Sequence, residues 1–173
     1  MPPDSDQDKR QQPHGTARPE PVETAPATVE FALAADWVSP SVARDRVRSW
    51  LRAHRWSPSH TDDLVLAINE AVSNSIEHGY GLVPLDGAHP ARTDGAVVEV
   101  RGRLVTDPDG SRRVEFTVRD QGRWLAPSTG ATSRGHGVRL MRACVDNVTI
   151  DHGRHGTTVV LHSRPMPPPL RSV

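Results

Sequence analysis

The chain is 173 residues long, room for one domain, and its 21 Lys and Arg balance 21 Asp and Glu, so no global field draws it to nucleic acid or an acidic membrane. No run approaches the roughly 18 apolar residues of a membrane span, and a lone cysteine, Cys144, cannot form an internal disulfide, which suits a reducing cytoplasm. The only lysine is Lys9, which excludes a Walker P-loop and a eukaryotic-type protein kinase, since both set a lysine on the nucleotide phosphates.

Residues 1–27 scatter Pro2, Pro3, Pro13, Pro19, Pro21 and Pro26 among charged and small residues, without apolar periodicity or the apolar core of a signal peptide, and are expected to be a disordered tail. The folded part is expected to run from Thr28 to Ser163, large enough to bury about two thirds of its unfolded surface. Val29, Phe31 and Leu33 alternate with polar or small residues, the period of a strand with one buried face. Ser39 and Pro40 then read as an N-cap and first helical residue, with Ala43, Val47, Trp50 and Leu51 as the apolar stripe of a helix to about His54. Ser57 with Pro58, or Ser59 with Asp62, starts a second helix, and Gly79 is placed to end it in the left-handed conformation.

Residues 81–95, punctuated by Pro84, Gly87, Pro90 and Gly95, read as a long loop. Val98, Val100 and Leu104, then Val114, Phe116 and Val118, flank the turn TDPDGS and predict an antiparallel hairpin. A glycine-rich stretch leads to a helix over about Val138 to Asp146 with Leu140, Met141 and Cys144 as its stripe. Strands near Val148–Asp151 and Thr157–His162 close the domain. Pro165, Pro167, Pro168 and Pro169 make residues 164–173 a proline-rich tail. The order predicts an α/β two-layer sandwich, a mixed, mostly antiparallel sheet with helices on one face.

On the second helix Leu64, Ile68, Val72 and Ile76 define the core stripe, and Glu70 and Asn74 lie about half a turn away on a face shared with Glu77. Alone, this is a solvated polar face. Asp120 at a strand end, followed by Gly122, can accept a hydrogen bond from an exocyclic amine while the glycine lets a flat ring approach the backbone. Gly135 and Gly137, just ahead of a helix, leave free N–H groups and a helix dipole for phosphate. His152 and His155 lack a third partner at metal-ligand spacing, and the four tryptophans read as packing, with Trp124 near the glycine-rich stretch.

Together, LAINEAVSNSIEHGYG, RDQG, RGHGVRLMRACVD and GTTVVL resemble the GHKL family of ATPases and kinases, which have the Bergerat ATP-binding fold, and among them the RsbW-type anti-sigma factor serine kinases. The likeness covers essentially all of residues 28–163. It implies a histidine kinase-like ATP-binding domain using ATP and Mg2+, with Glu70 as general base, Asn74 as magnesium ligand, Asp120 and Gly122 at the adenine, Gly135 and Gly137 at the phosphates, and Thr158 beside the adenine. An amide oxygen suits magnesium, which takes oxygen ligands and keeps several waters. Arg134 is the preferred phosphate cation over Arg139, and Ser133 stands where the family pattern places an arginine.

The resemblance further implies a sigma factor and an anti-anti-sigma (STAS) protein as partners and suggests a homodimer. The expected activity is transfer of the γ-phosphoryl of ATP to that STAS protein. The alternative is a non-catalytic, nucleotide-gated binding module of the same fold. A sensor histidine kinase would need a helical hairpin bearing the acceptor histidine, which the proline-broken residues 1–27 do not supply.

Overall fold

The computed structural model describes residues 25–81, 95–122 and 136–168. Strand β1 (Thr28–Ala34) is followed by helices α1 (Ser39–Ala53) and α2 (Pro58–Asn74), the hairpin β2 (Val97–Thr106) and β3 (Arg112–Asp120), helix α3 (His136–Cys144), and the hairpin β4 (Asn147–Gly153) and β5 (Gly156–His162). The strands form one sheet in the order β1-β2-β3-β5-β4. All four pairings are antiparallel, so among the described residues the sheet lacks the parallel admixture that a mixed sheet would have.

Alternation decides which face is covered. Phe31 and Leu33, Val98 and Val100, Val114, Phe116 and Val118, and Val159 and Leu161 are buried together with Ala43, Val47, Trp50 and Leu51 of α1 and Leu64, Ile68 and Val72 of α2. These side chains form one core between the helix layer and the sheet, the two-layer arrangement expected from the element order. Trp50 of α1 meets Phe116 of β3 edge-on at 5.7 Å between ring centroids, an arrangement worth about 0.5–1.5 kcal/mol beyond area burial. The opposite face of the sheet carries Glu30, Arg101, Arg103 and Arg119, and there the described residues lay no helix.

Several local expectations are corrected. Ser39 is the first residue of α1, not its cap; the capping position is Val38, and the Ser39 hydroxyl donates to the Ala34 carbonyl at 2.6 Å. At α2 the first of the two possible starts holds, with Ser57 as cap, its side chain accepting from the His60 N–H. Gly79 is not left-handed: α2 runs on into a wide π-turn, Ser75–Gly79, closed by Tyr80 N–H to Ser75 carbonyl at 3.2 Å, and the positive φ of +68° falls on Gly81. On α3 Met141 and Cys144 are buried but Leu140 is 37 % exposed, because Val138, Met141 and Cys144 share a helix face that excludes position 140.

Packing continues past Ser163. Met166 exchanges both backbone hydrogen bonds with Arg112, at 2.7 and 2.8 Å, and is itself buried. Pro165 and Pro167 flank it, but Met166 keeps the one N–H that the bridge needs. At the other end, the Pro26 carbonyl accepts from Trp50 Nε1 at 2.9 Å. The expectations for residues 1–24, 82–94, 123–135 and 169–173 concern residues outside those described.

Candidate functional site

Strand β3 delivers Asp120 to the helix side of the sheet, where it is 1 % exposed. Its Oδ1 accepts two backbone N–H groups, from Gly122 at 3.0 Å and Thr157 at 3.2 Å. Its Oδ2 is buried and has no hydrogen-bond partner among the described residues. Leaving a buried acceptor unmatched costs about 1–3 kcal/mol, and none of the described residues matches this one.

The end of α2 is shaped around that carboxylate. A Cβ on Gly79 would stand 2.9 Å from Asp120 Oδ1, and one on Gly122 would collide with the Gly79 carbonyl. The widened π-turn, an arrangement often found at functional sites, thus brings helix backbone into direct contact with the β3 end, and only glycines permit it. Tyr80 fastens the junction: its hydroxyl donates to the Val97 carbonyl at 2.6 Å and accepts from the Gln121 N–H at 3.1 Å.

A narrow pocket of about 10 Å³ lies beside Asp120 between α2, α3 and the β4–β5 hairpin. Ala71, Val138, Ile150 and Val159 make its apolar walls, and Asn74, Ser75, Asp120 and Thr157 its polar groups. Apolar walls with few convergent polar groups are the usual lining of a small-molecule site, though this volume is about that of one water. Asn74 links this pocket to a second group of residues. A Cβ on Gly137 would lie 3.0 Å from Glu70 Oε2 and 3.3 Å from both Asn74 side-chain ends. Glu70 and Asn74 therefore face the first turn of α3, half-buried, where the helix wheel alone had left them on a solvated face.

Of the residues singled out from sequence, Asn74 and Asp120 line this pocket, Glu70 and Gly137 lie against Asn74, and the Gly122 N–H bonds to Asp120. Thr158 is corrected. It faces the helix-free side of β5, lining a separate, larger cleft with Arg101, Arg119 and Arg154, while its neighbour Thr157 stands beside Asp120. The reason is parity: Thr157 shares its strand face with buried Val159 and Leu161. Arg134 and Gly135, with Ser133 and Trp124, lie outside the described residues, and Arg139 is exposed on α3. His152 and His155 are exposed near the β4–β5 turn, and no group of three or more His, Cys, Asp or Glu among the described residues is arranged to hold a metal.

The site residues that sequence reasoning missed are Thr157 and Tyr80. For Thr157 the run Val159, Val160, Leu161 hides the alternation that would have chosen it.

The donor types suit a nucleotide and magnesium, while the pocket beside Asp120, about 10 Å³, would have to widen for an adenine. An unmatched buried acceptor suits an exocyclic amine, and the space at Gly137 adjoins one neutral amide and one carboxylate, oxygen ligands of the kind magnesium takes.

Residues 33–162 match the family model described as the histidine kinase-like ATPase domain. Among solved structures, the chain is similar to the RsbU and RsbW domains of Rv1364c from Mycobacterium tuberculosis, at 28 % identity and a TM-score of 0.55, covering 82 % of this chain and 33 % of that one. It thus spans about a third of that protein's length. A second match is the histidine kinase domain of the Erythrobacter litoralis EL346 blue-light activated histidine kinase, at 16 % identity and a TM-score of 0.41, covering 76 % of this chain and 64 % of that one.

Proposed function

The chain belongs to the histidine kinase-like ATPase domain family, and from that membership we propose that it is an ATP-dependent protein serine/threonine kinase of the anti-sigma factor type. It phosphorylates a small anti-anti-sigma (STAS) protein and holds a sigma factor when that antagonist is phosphorylated. The likeness to a protein with RsbU and RsbW domains supports the partner-switching part of this reading.

The observation that carries it is Asp120 Oδ2, buried and without a partner among the described residues, in a small pocket with apolar walls. Ala71, Val138, Ile150 and Val159 would cover the faces of an adenine ring once the pocket, about 10 Å³ in this structure, widens to admit it, with Oδ2 accepting from its amino group. Thr157, whose hydroxyl is likewise buried without a partner among the described residues, is a second group for the ring edge. Asn74 would hold the magnesium with its amide oxygen, adding no charge to repel phosphate. Gly122, Gly135 and Gly137 give close backbone approach, and Arg134 the cation for the phosphates. Bound Mg-ATP supplies a phosphoryl group in a form that can be transferred. As the acceptor hydroxyl oxygen bonds to the γ-phosphorus, the bond to the bridging oxygen breaks and its electron pair leaves with ADP. Glu70 takes the hydroxyl proton.

Titration calorimetry with Mg2+ tests the binding. ATP should bind and GTP should bind at least about 100-fold more weakly, because a 6-oxo group sets an acceptor against Oδ2. Asp120→Asn should weaken ATP by about 10- to 100-fold, since an amide donor would then meet the amino group. No heat with ATP, or equal affinity for GTP, defeats the assignment. Transfer is tested with labelled ATP and candidate STAS proteins, where Glu70→Gln should retain nucleotide binding and lower turnover by about 10² to 10⁴. Binding without transfer by the wild-type protein would leave the nucleotide-gated module instead.

A further inference from the structure

Glu70 is held from behind. Its Oε1 accepts from Asn69 Nδ2 at 3.2 Å, and Asn69 Oδ1 accepts in turn from Arg44 Nη1 at 2.5 Å. Arg44 lies on α1, 25 residues earlier in the chain, and all three side chains are half-buried.

This arrangement is not what helix geometry produces by default. Successive residues diverge by about 100° around the axis and do not face each other, so a bond from Asn69 to Glu70 requires the asparagine side chain to be held. Arg44 does so. A guanidinium has only donors and an ionised carboxylate only acceptors, so an asparagine between them bonds to both in one orientation, with its oxygen to Arg44 and its amino group to Glu70. That choice follows from chemistry, independently of how the amide is assigned. It leaves Glu70 Oε2 as the oxygen turned toward Gly137, 3.0 Å from where that residue's Cβ would be.

We propose that Arg44 and Asn69 are positioning residues for Glu70, a relay from α1 that occupies Oε1 and presents Oε2 to the acceptor hydroxyl. The proposal rests on the reading of Glu70 as general base. It also gives the relay a direction: Arg44 stays one residue removed from the proton acceptor, and the donor that Oε1 meets, Asn69, is neutral. A lysine or arginine at position 69 would instead pair with the carboxylate directly.

Asn69→Asp separates positioning from packing. An aspartate still accepts from Arg44, so the tie between α1 and α2 persists, but it sets a carboxylate against Glu70 where a donor had been. The melting temperature and the affinity for Mg-ATP should stay close to wild type while kcat falls at least about tenfold. Arg44→Met, which keeps the apolar stem, should show the same split between kcat and KM, and Arg44→Lys should recover much of the loss. A second readout needs no turnover. In nucleotide-free protein the Asn69 side-chain amide resonances should move in Arg44→Met and Glu70→Gln alike.

Unchanged kcat in Asn69→Asp, with Glu70→Gln impaired, overturns the relay alone. Full turnover in Glu70→Gln overturns the relay and the base reading together. Asn69 amide signals that ignore both Arg44→Met and Glu70→Gln also overturn the relay.

Discussion

On the helix-free face of β3, Arg103 grips both oxygens of Glu115, Nε at 2.8 Å and Nη2 at 2.9 Å, and His162 Nε2 stands 3.1 Å from Oε2. The hydrogen bond from Arg103, then its charge and the His162 ring, hold the Glu115 carboxyl below the ordinary carboxylate range against the opposing effect of burial. A depressed folded value means that the contribution is fully present above the unfolded pKa of about 4.3 and is lost as pH falls through the folded value. Glu115→Gln should therefore flatten the acid limb of stability against pH below about 4.3. Its cost at neutral pH should be only about 0.5–1 kcal/mol, because Arg103 is 60 % exposed. Urea unfolding at pH 3, 4 and 7 checks this, and an acid limb identical to wild type would refute it. At this scale the sequence was legible where chemistry and position coincide, as at Asp120 on a strand end. It was not legible at Thr157 and Thr158, adjacent and chemically identical, which only the pleat tells apart.

Among the elements, α3 makes the sharpest test. Gly137 sits in its first turn, where replacing glycine by alanine ordinarily favours the helix by about 0.5–1 kcal/mol. The same methyl group would press on Glu70 and Asn74. Gly137→Ala should thus leave the melting temperature level or slightly raised while weakening Mg-ATP binding or slowing turnover by about tenfold or more. Loss of stability without loss of binding would refute the placement. The stripes of α1 and α2 were readable because they repeat every three to four residues over several turns. The π-turn after Asn74 was not, since its i to i+5 bond answers to contact between Gly79, Gly122 and Asp120 and not to any local periodicity.

Across the whole molecule, the chain closes on itself at the far edge of the hairpin. Truncation after Ser163 would remove the Arg112–Met166 bridge, the buried Met166 side chain and the Arg164 bond to the Ala143 carbonyl at 2.6 Å. Two backbone hydrogen bonds and one buried side chain, less the entropy of ordering the segment, put the cost at about 1–3 kcal/mol. Equilibrium unfolding of the truncated chain measures it, and an unaltered midpoint would show that residues 164–173 contribute nothing. The site lies away from this edge, so Mg-ATP affinity should follow stability only weakly.

The sequence by itself determined most of the elements and their amphipathic faces, because periodicity is a short-range property written into neighbouring residues, whereas Glu70, Asn74, Asp120 and the glycines were singled out together only by a family resemblance. Tertiary structure alone decided that β5 rather than β4 lies beside β3, that Asp120 keeps one oxygen without a partner among the described residues, and that Arg44 reaches Asn69 from another helix. These depend on which distant segments meet when the core closes, and such long-range pairings leave no period in the chain.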